Sequence, residues 1–188
     1  MSYQIGLFNV WLCMVAGYGI IWATMVWVDK KRGVPIEDPA LYNHVDRRKM
    51  MLVTQIPLLA LLAISVNMPI VQGPLFWPGM AAAIAGVALN LIAMISFVNR
   101  RGGLNGTGIY RFSRNPMYVG GILFVLGLNC IGWSFSVMNA IFSVISLIWV
   151  GTIHWTVRKE ESFLASTYGA VFDEMRRRVP RYIGLPRR

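Results

Sequence analysis

An all-α, polytopic membrane protein is the fold class this sequence predicts, and three observations predict it. First, the 18 Lys and Arg and the 8 Asp and Glu all fall in three segments, 29–49, 100–114 and 158–188. Second, the stretches before and between them are free of charge for 28, 50 and 43 residues. A bilayer core of ~30 Å is crossed by roughly 20 apolar residues in a helix, and a charge inside such a helix costs about 3 kcal/mol on insertion scales. The stretches therefore hold one, two and two spans. Third, 56% of the residues are hydrophobic and only 14% charged, against about a quarter charged in a typical soluble domain.

Parity orients the chain. Two crossings between successive charged segments leave all three on one face, which the positive-inside rule makes cytoplasmic. Five transmembrane helices follow, with the N-terminus outside and the C-terminus cytoplasmic. Residues 1–188 read as a single membrane domain: three N-terminal spans over 1–99, then a loop, a helical hairpin and a C-terminal helix over 100–188. The net charge of +10 sits in short loops and a tail beside the membrane, so anionic lipid headgroups and not nucleic acid are the expected partner.

Span one covers about 5–28, with Trp27 and Lys30-Lys31-Arg32 as an inner anchor. No basic n-region precedes it and no small-residue cleavage site follows it, so it reads as a retained helix. The loop 29–49 contains Pro35 and Pro39, which oppose one continuous helix. Span two runs from about 50 to 67 around Pro57, and an outer turn follows at 67–74. Span three extends to about 98. Its Gly79, Ala82, Ala83 and Gly86 lie near one stripe and suit close helix packing. The 43-residue stretch folds back at 129–134 into helices at about 117–130 and 136–157, with Pro116 opening the first of them. A cytoplasmic amphipathic tail helix is expected over 158–178, because Leu164, Tyr168, Val171, Phe172 and Met175 share a face. Glu160 and Glu161 would lie in its first turn and Arg176-Arg177-Arg178 in its last, both matched to the helix dipole. Cys13 and Cys130 have no metal-ligand spacing and read as small apolar fillers, so no metal is expected.

Two polar segments, 102–120 and 158–182, flank the hairpin. Folding the hairpin brings Arg114–Tyr118 level with His154–Glu161. A glycine-rich loop, an Arg-Asn-Pro turn, two tyrosines and a carboxylate pair then meet at the inner interface, where a polar cofactor can reach a lipid-soluble substrate. Each residue also has a plainer role. Gly103, Gly106 and Gly108 let a loop turn. Tyr110 and Tyr118 suit an interfacial belt, and Arg114 suits a snorkelling anchor. His154 suits a satisfied interfacial residue.

The run GTGIYRFSRNPMYVGG resembles the G-x-Y-x-x-x-R-H-P-x-Y-x-G signature of the isoprenylcysteine carboxyl methyltransferase and phospholipid methyltransferase families. The tail pattern EE-x-x-L-x-x-x-Y-G-x-x-F, followed by VPRY, resembles their C-terminal signature. The resemblance covers roughly 102–182; the first hundred residues agree only in hydropathy. It implies a membrane-embedded enzyme that uses S-adenosylmethionine to methylate a lipophilic acceptor, such as a prenylcysteine-type carboxylate, leaving S-adenosylhomocysteine. It places the cofactor on Gly103, Leu104, Tyr110, Asn115, Pro116, Tyr118, Glu160 and Glu161, and the chemistry on Arg114, Glu160 and Glu161. One departure is Asn115 where most such signatures carry His, since Asn cannot titrate. Alternatives are a phospholipid amine N-methyltransferase, a nicotinamide-dependent membrane enzyme resembling sterol reductases, and a non-catalytic scaffold or transporter subunit. The transporter reading is disfavoured by spans without charge.

Overall fold

The computed structural model describes residues 9–33, 44–98 and 104–186. Among them every regular element is a helix, apart from one isolated bridge between Asn9 and Pro69. The helices are α1 (Val10–Arg32), α2 (His44–Ser65), α3 (Phe76–Ile95), a single 3-10 turn (Gly108–Arg111), α4 (Pro116–Ile131), α5 (Val137–Tyr168) and α6 (Ala170–Arg178). Four of them, α1, α2, α3 and α5, are long and apolar enough to cross a membrane. The fifth, α4, has 16 residues, or about 24 Å of helix at 1.5 Å per residue.

The helices alternate in direction, and each end of the bundle has its own chemistry. At one end the start of α1, the α2–α3 turn and the end of α4 are joined by backbone bonds: Val10 N–H to Met68 O at 2.9 Å and Val71 N–H to Ile131 O at 3.0 Å. The α4–α5 turn is held there by side chains. Asn139 Nδ2 donates to Asn129 Oδ1 at 2.9 Å, Asn129 Nδ2 donates to Ser143 Oγ at 3.0 Å, and Ser136 caps α5 by accepting from the Asn139 N–H. Among the described residues no charged side chain takes part at this end. At the other end Arg32 of α1 lies over the Phe97 ring, and Phe97 packs edge-on against Tyr110. The charged groups described below gather there.

Glycines set the spacing of the interior. On α3, Gly79, Ala83 and Gly86 are buried against Gly120 and Gly127 of α4. A Cβ on Gly86 would lie 2.6 Å from Gly120 O, and one on Gly127 would lie 2.6 Å from Gly79 O. Backbone meets backbone along this seam, as small-residue stripes allow where no hydrophobic effect drives helices together in lipid. Around it Met14, Leu61, Met68, Phe124, Leu128, Phe142, Trp149 and Val157 form one apolar core. Large apolar side chains such as Trp22, Ile56, Leu59, Ile84 and Leu147 face outward, as lipid-facing surfaces do.

The tail departs from the sequence expectation. No break occurs at 157: α5 continues for 32 residues to Tyr168 and stops at Gly169, whose φ of 50° and ψ of −125° suit glycine alone. Only the nine residues of α6 form a separate tail helix. Glu160 and Glu161 therefore lie inside a long helix, and the first-turn dipole match expected for them does not exist. From Ser136, Glu160 is about 36 Å along the helix axis, which is more than the ~30 Å apolar core of a bilayer.

Candidate active site

At the charged end three chain segments are tied to one carboxylate. Glu161 on α5 accepts from Arg114 Nη2 at 2.8 Å through Oε1. Through Oε2 it accepts from Arg181 Nε at 3.0 Å and Arg181 Nη2 at 2.8 Å. The Arg114 and Glu161 side chains are 6% and 9% exposed, and that of Arg181 is 37% exposed. Two guanidinium groups face one carboxylate, so the cluster carries a net positive charge. Burial draws the Arg114 pKa down and Glu161 opposes that pull; the bonds to Glu161 raise Arg181. Both arginines remain charged at any physiological pH.

The backbone makes this arrangement rigid. Arg114 N–H donates to Pro180 O at 3.0 Å, Gly184 N–H donates to Phe112 O at 3.2 Å, and Asn115 Nδ2 donates to Arg181 O at 3.1 Å. The Ser113 hydroxyl accepts the Asn115 N–H at 3.0 Å, just before Pro116 opens α4 at its first turn. Residues 179–184 thus form a strap across the Arg-Asn-Pro turn. His154 Nδ1 and Tyr182 Oη share a bond of 2.8 Å that fixes the strap to α5 as well. Beneath it, the buried Phe172 ring of α6 lies 5.9 Å from the Arg114 guanidinium carbon.

Beside the clamp is a second, looser group. The Tyr118 hydroxyl donates to Glu160 Oε1. Tyr110 is buried on the 3-10 turn, and its hydroxyl has no hydrogen-bond partner among the described residues. Burial raises its pKa, the Glu160 charge raises it further, and the hydroxyl stays neutral. Arg114 Nε and Nη1 are likewise buried without a hydrogen-bond partner among the described residues. Buried polar atoms without partners are costly. Three of them, all donors, lie in this loop, with the Glu160 charge acting on one of them.

Several site residues expected from sequence come together here. Arg114, Asn115, Pro116, Tyr110, Tyr118, Glu160 and Glu161 all lie at this end. Leu104 is half-buried where the loop begins, and Asn105 behind it organises the loop, donating to Ser96 Oγ at 2.9 Å and accepting from Thr107 N–H at 3.2 Å. Gly103 lies outside the described residues. The side chain of Asn115 holds the strap, and Glu161 holds both arginines. Arg181, Tyr182, Ser113 and Asn105 were not singled out from sequence; the VPRY run was the available signal for the first two.

Adenosylmethionine can be tested against this donor set. Its carboxylate requires donors, which Arg114 Nε and Nη1 and Tyr110 Oη provide. Its ammonium and ribose hydroxyls require an acceptor, which Glu160 provides. The residues fit the group.

Residues 79–171, about half of the chain, match the family model described as phospholipid methyltransferase. The match runs from the glycine seam of α3 through the loop and hairpin to the start of α6. No curated protein and no solved structure matches the chain. The chain belongs to that family of integral membrane methyltransferases: it is a multi-pass membrane enzyme that transfers a methyl group.

Proposed function

We propose that this enzyme takes the methyl group of S-adenosylmethionine and places it on a lipophilic acceptor of the prenylcysteine-carboxylate kind at the cytoplasmic edge of the membrane. The observation that carries the reading is the set of unpartnered donors on Arg114 and Tyr110, next to Glu160, at the charged end of an otherwise apolar bundle. Bound adenosylmethionine supplies a sulfonium methyl that is already electrophilic. The protein's task is then mainly to orient the donor and acceptor. Arg114 and Tyr110 hold the donor's carboxylate by charge-assisted and neutral hydrogen bonds. Glu160 receives its ammonium or ribose hydroxyls, and Tyr118 fixes the Glu160 rotamer. The position of Glu160 near the end of the apolar core lets an acceptor present its reactive group while its hydrocarbon tail stays in the bilayer.

The groups available to take a proton bear on the acceptor class. A carboxylate acceptor has none to lose, whereas an amine must lose one in the course of methylation. Glu161 is engaged by two arginines and Asn115 cannot titrate. His154 Nδ1 is tied to the Tyr182 hydroxyl, and the residue lies on an exposed face of α5. This favours the carboxylate. The second reading, a phospholipid amine, is favoured by the description of the matching family, and Glu160 would then be the base. The cytoplasmic placement rests on the one-sided charge.

Calorimetry on the purified protein tests the donor: S-adenosylhomocysteine binds and a nicotinamide dinucleotide does not. The reverse would move the reading to the reductase-like alternative. Radiolabelled adenosylmethionine offered with a farnesylated cysteine derivative, or with vesicles containing phosphatidylethanolamine, separates the acceptors. Label in the first supports the carboxylate; label only in the second establishes the amine.

A further inference from the structure

We propose that Arg181 is a positioning residue for the methyl-donor site: by holding Glu161 Oε2 it keeps Glu161 to a single bond with Arg114 and leaves Arg114 Nε and Nη1 available to ligand. The proposal rests on the donor reading above. Residues 179–184 lie beyond the matched segment 79–171, and nothing about the family match assigns them a role.

The geometry is specific. A carboxylate beside a lone guanidinium tends to engage it with both oxygens, in the two-bond fork that makes such pairs strong. Glu161 does not do this to Arg114. It gives Arg114 one oxygen, Oε1, and gives Arg181 the other, Oε2, in two bonds of 3.0 and 2.8 Å. Arg114 is therefore left with two buried nitrogens, Nε and Nη1, whose N–H groups no atom of the described residues accepts. The strap's backbone bonds to Arg114, Asn115 and Phe112 hold Arg181 in place independently of its side chain. Without the Arg181 guanidinium, Oε2 is free to turn onto Arg114 and close the fork. The same loss removes a positive charge from the cluster. Both effects weaken the hold on an anionic ligand group.

Arg181→Met and Arg181→Lys, in the full-length protein in detergent, test this. S-adenosylhomocysteine affinity is measured by calorimetry, and KM for each substrate with kcat by methyl transfer. The Met variant is expected to bind S-adenosylhomocysteine about tenfold more weakly, the scale of one charge-assisted bond. Its KM for adenosylmethionine rises in step, while kcat at saturating donor and KM for the acceptor stay within about twofold of wild type. Lys, which can bond Oε2 and keeps the charge, recovers most of the affinity. A strap that only stabilises the fold would instead lower the melting temperature, kcat and both affinities together. That pattern, or unchanged donor affinity in the Met variant, overturns the proposal, as does a Lys variant no better than Met. If wild type itself fails to bind S-adenosylhomocysteine, the donor reading falls first and the role of Arg181 with it.

Discussion

The α3–α4 seam and the clamp around Glu161 are both tight, and they are tight for opposite reasons. Along the seam nothing polar is exchanged between side chains. Gly79, Gly86, Gly120 and Gly127 bring two backbones together, and dispersion between closely packed atoms holds them. In the clamp the fastenings are polar. One carboxylate, two guanidinium groups, an amide and two backbone bonds fasten a loop, a helix and a strap. The seam has no unsatisfied chemistry and leaves no room. The clamp retains buried donors without partners. Seam and clamp differ in this respect: of the two, the clamp has polar capacity left for a ligand.

The largest expected effect tests the seam. Gly86→Val or Gly127→Val puts a branched side chain where even a Cβ would lie 2.5 Å from a backbone nitrogen. Overpacking a core usually costs about 1–3 kcal/mol, occasionally more; here both walls are backbone and cannot yield. Neither variant should be recoverable as folded protein in detergent. Gly19→Ala on α1, with nothing within 4 Å of the added Cβ, should melt at or slightly above the wild-type temperature. Seam variants that melt like wild type would remove the distinction.

Next in size is Glu161→Gln. Breaking a buried ion pair by removing one partner costs about 3–5 kcal/mol, and the partial exposure of Arg181 places this case at the lower end. A clear fall in melting temperature is expected, together with a loss of donor binding. Tyr110→Phe separates those two readouts. Its hydroxyl has no partner among the described residues, so stability should hold or rise. Donor affinity should fall by about two- to tenfold, the range of a neutral hydrogen bond. Loss of stability with unchanged affinity would make Tyr110 a structural residue. The smallest effect is expected from Arg177→Ala. Its bond to Glu174 of 2.7 Å lies on the exposed face of α6, where such pairs contribute about 0–1 kcal/mol. Both melting temperature and activity should be unchanged.

Charge made most of the fold legible. Because lipid excludes charge, the gaps between charged segments located the apolar helices and placed the Arg-Asn-Pro turn beside the glutamates. The same signal misplaced the end of α5. Charges begin at Arg158, and a helix boundary was expected there, but charge onset marks where the membrane ends and not where the helix does. Nothing in residues 158–168 breaks a helix, and Gly169 is the first residue that does. The face shared by Leu164 and Tyr168 belongs to that same long helix. The stripe of Gly79, Ala83 and Gly86 was readable as packing, but its counterpart, Gly120 and Gly127, was not, because pairing two helices takes contacts that periodicity does not encode. Arg181 and Tyr182 were hidden for a similar reason. They follow α6 on an irregular strap whose course is set by backbone bonds to residues some 65 positions earlier in the chain.

On the proposed function, the clamp end binds adenosylmethionine and delivers its methyl group to an acceptor held in the bilayer. The most direct measurement reconstitutes the purified protein in liposomes with tritiated adenosylmethionine and a farnesylated cysteine derivative, and follows label into the lipid phase. Label should accumulate with time and enzyme, be suppressed by S-adenosylhomocysteine, and fall strongly in Arg114→Ala. No transfer to this acceptor or to any membrane lipid, from protein that melts cooperatively, would contradict the account.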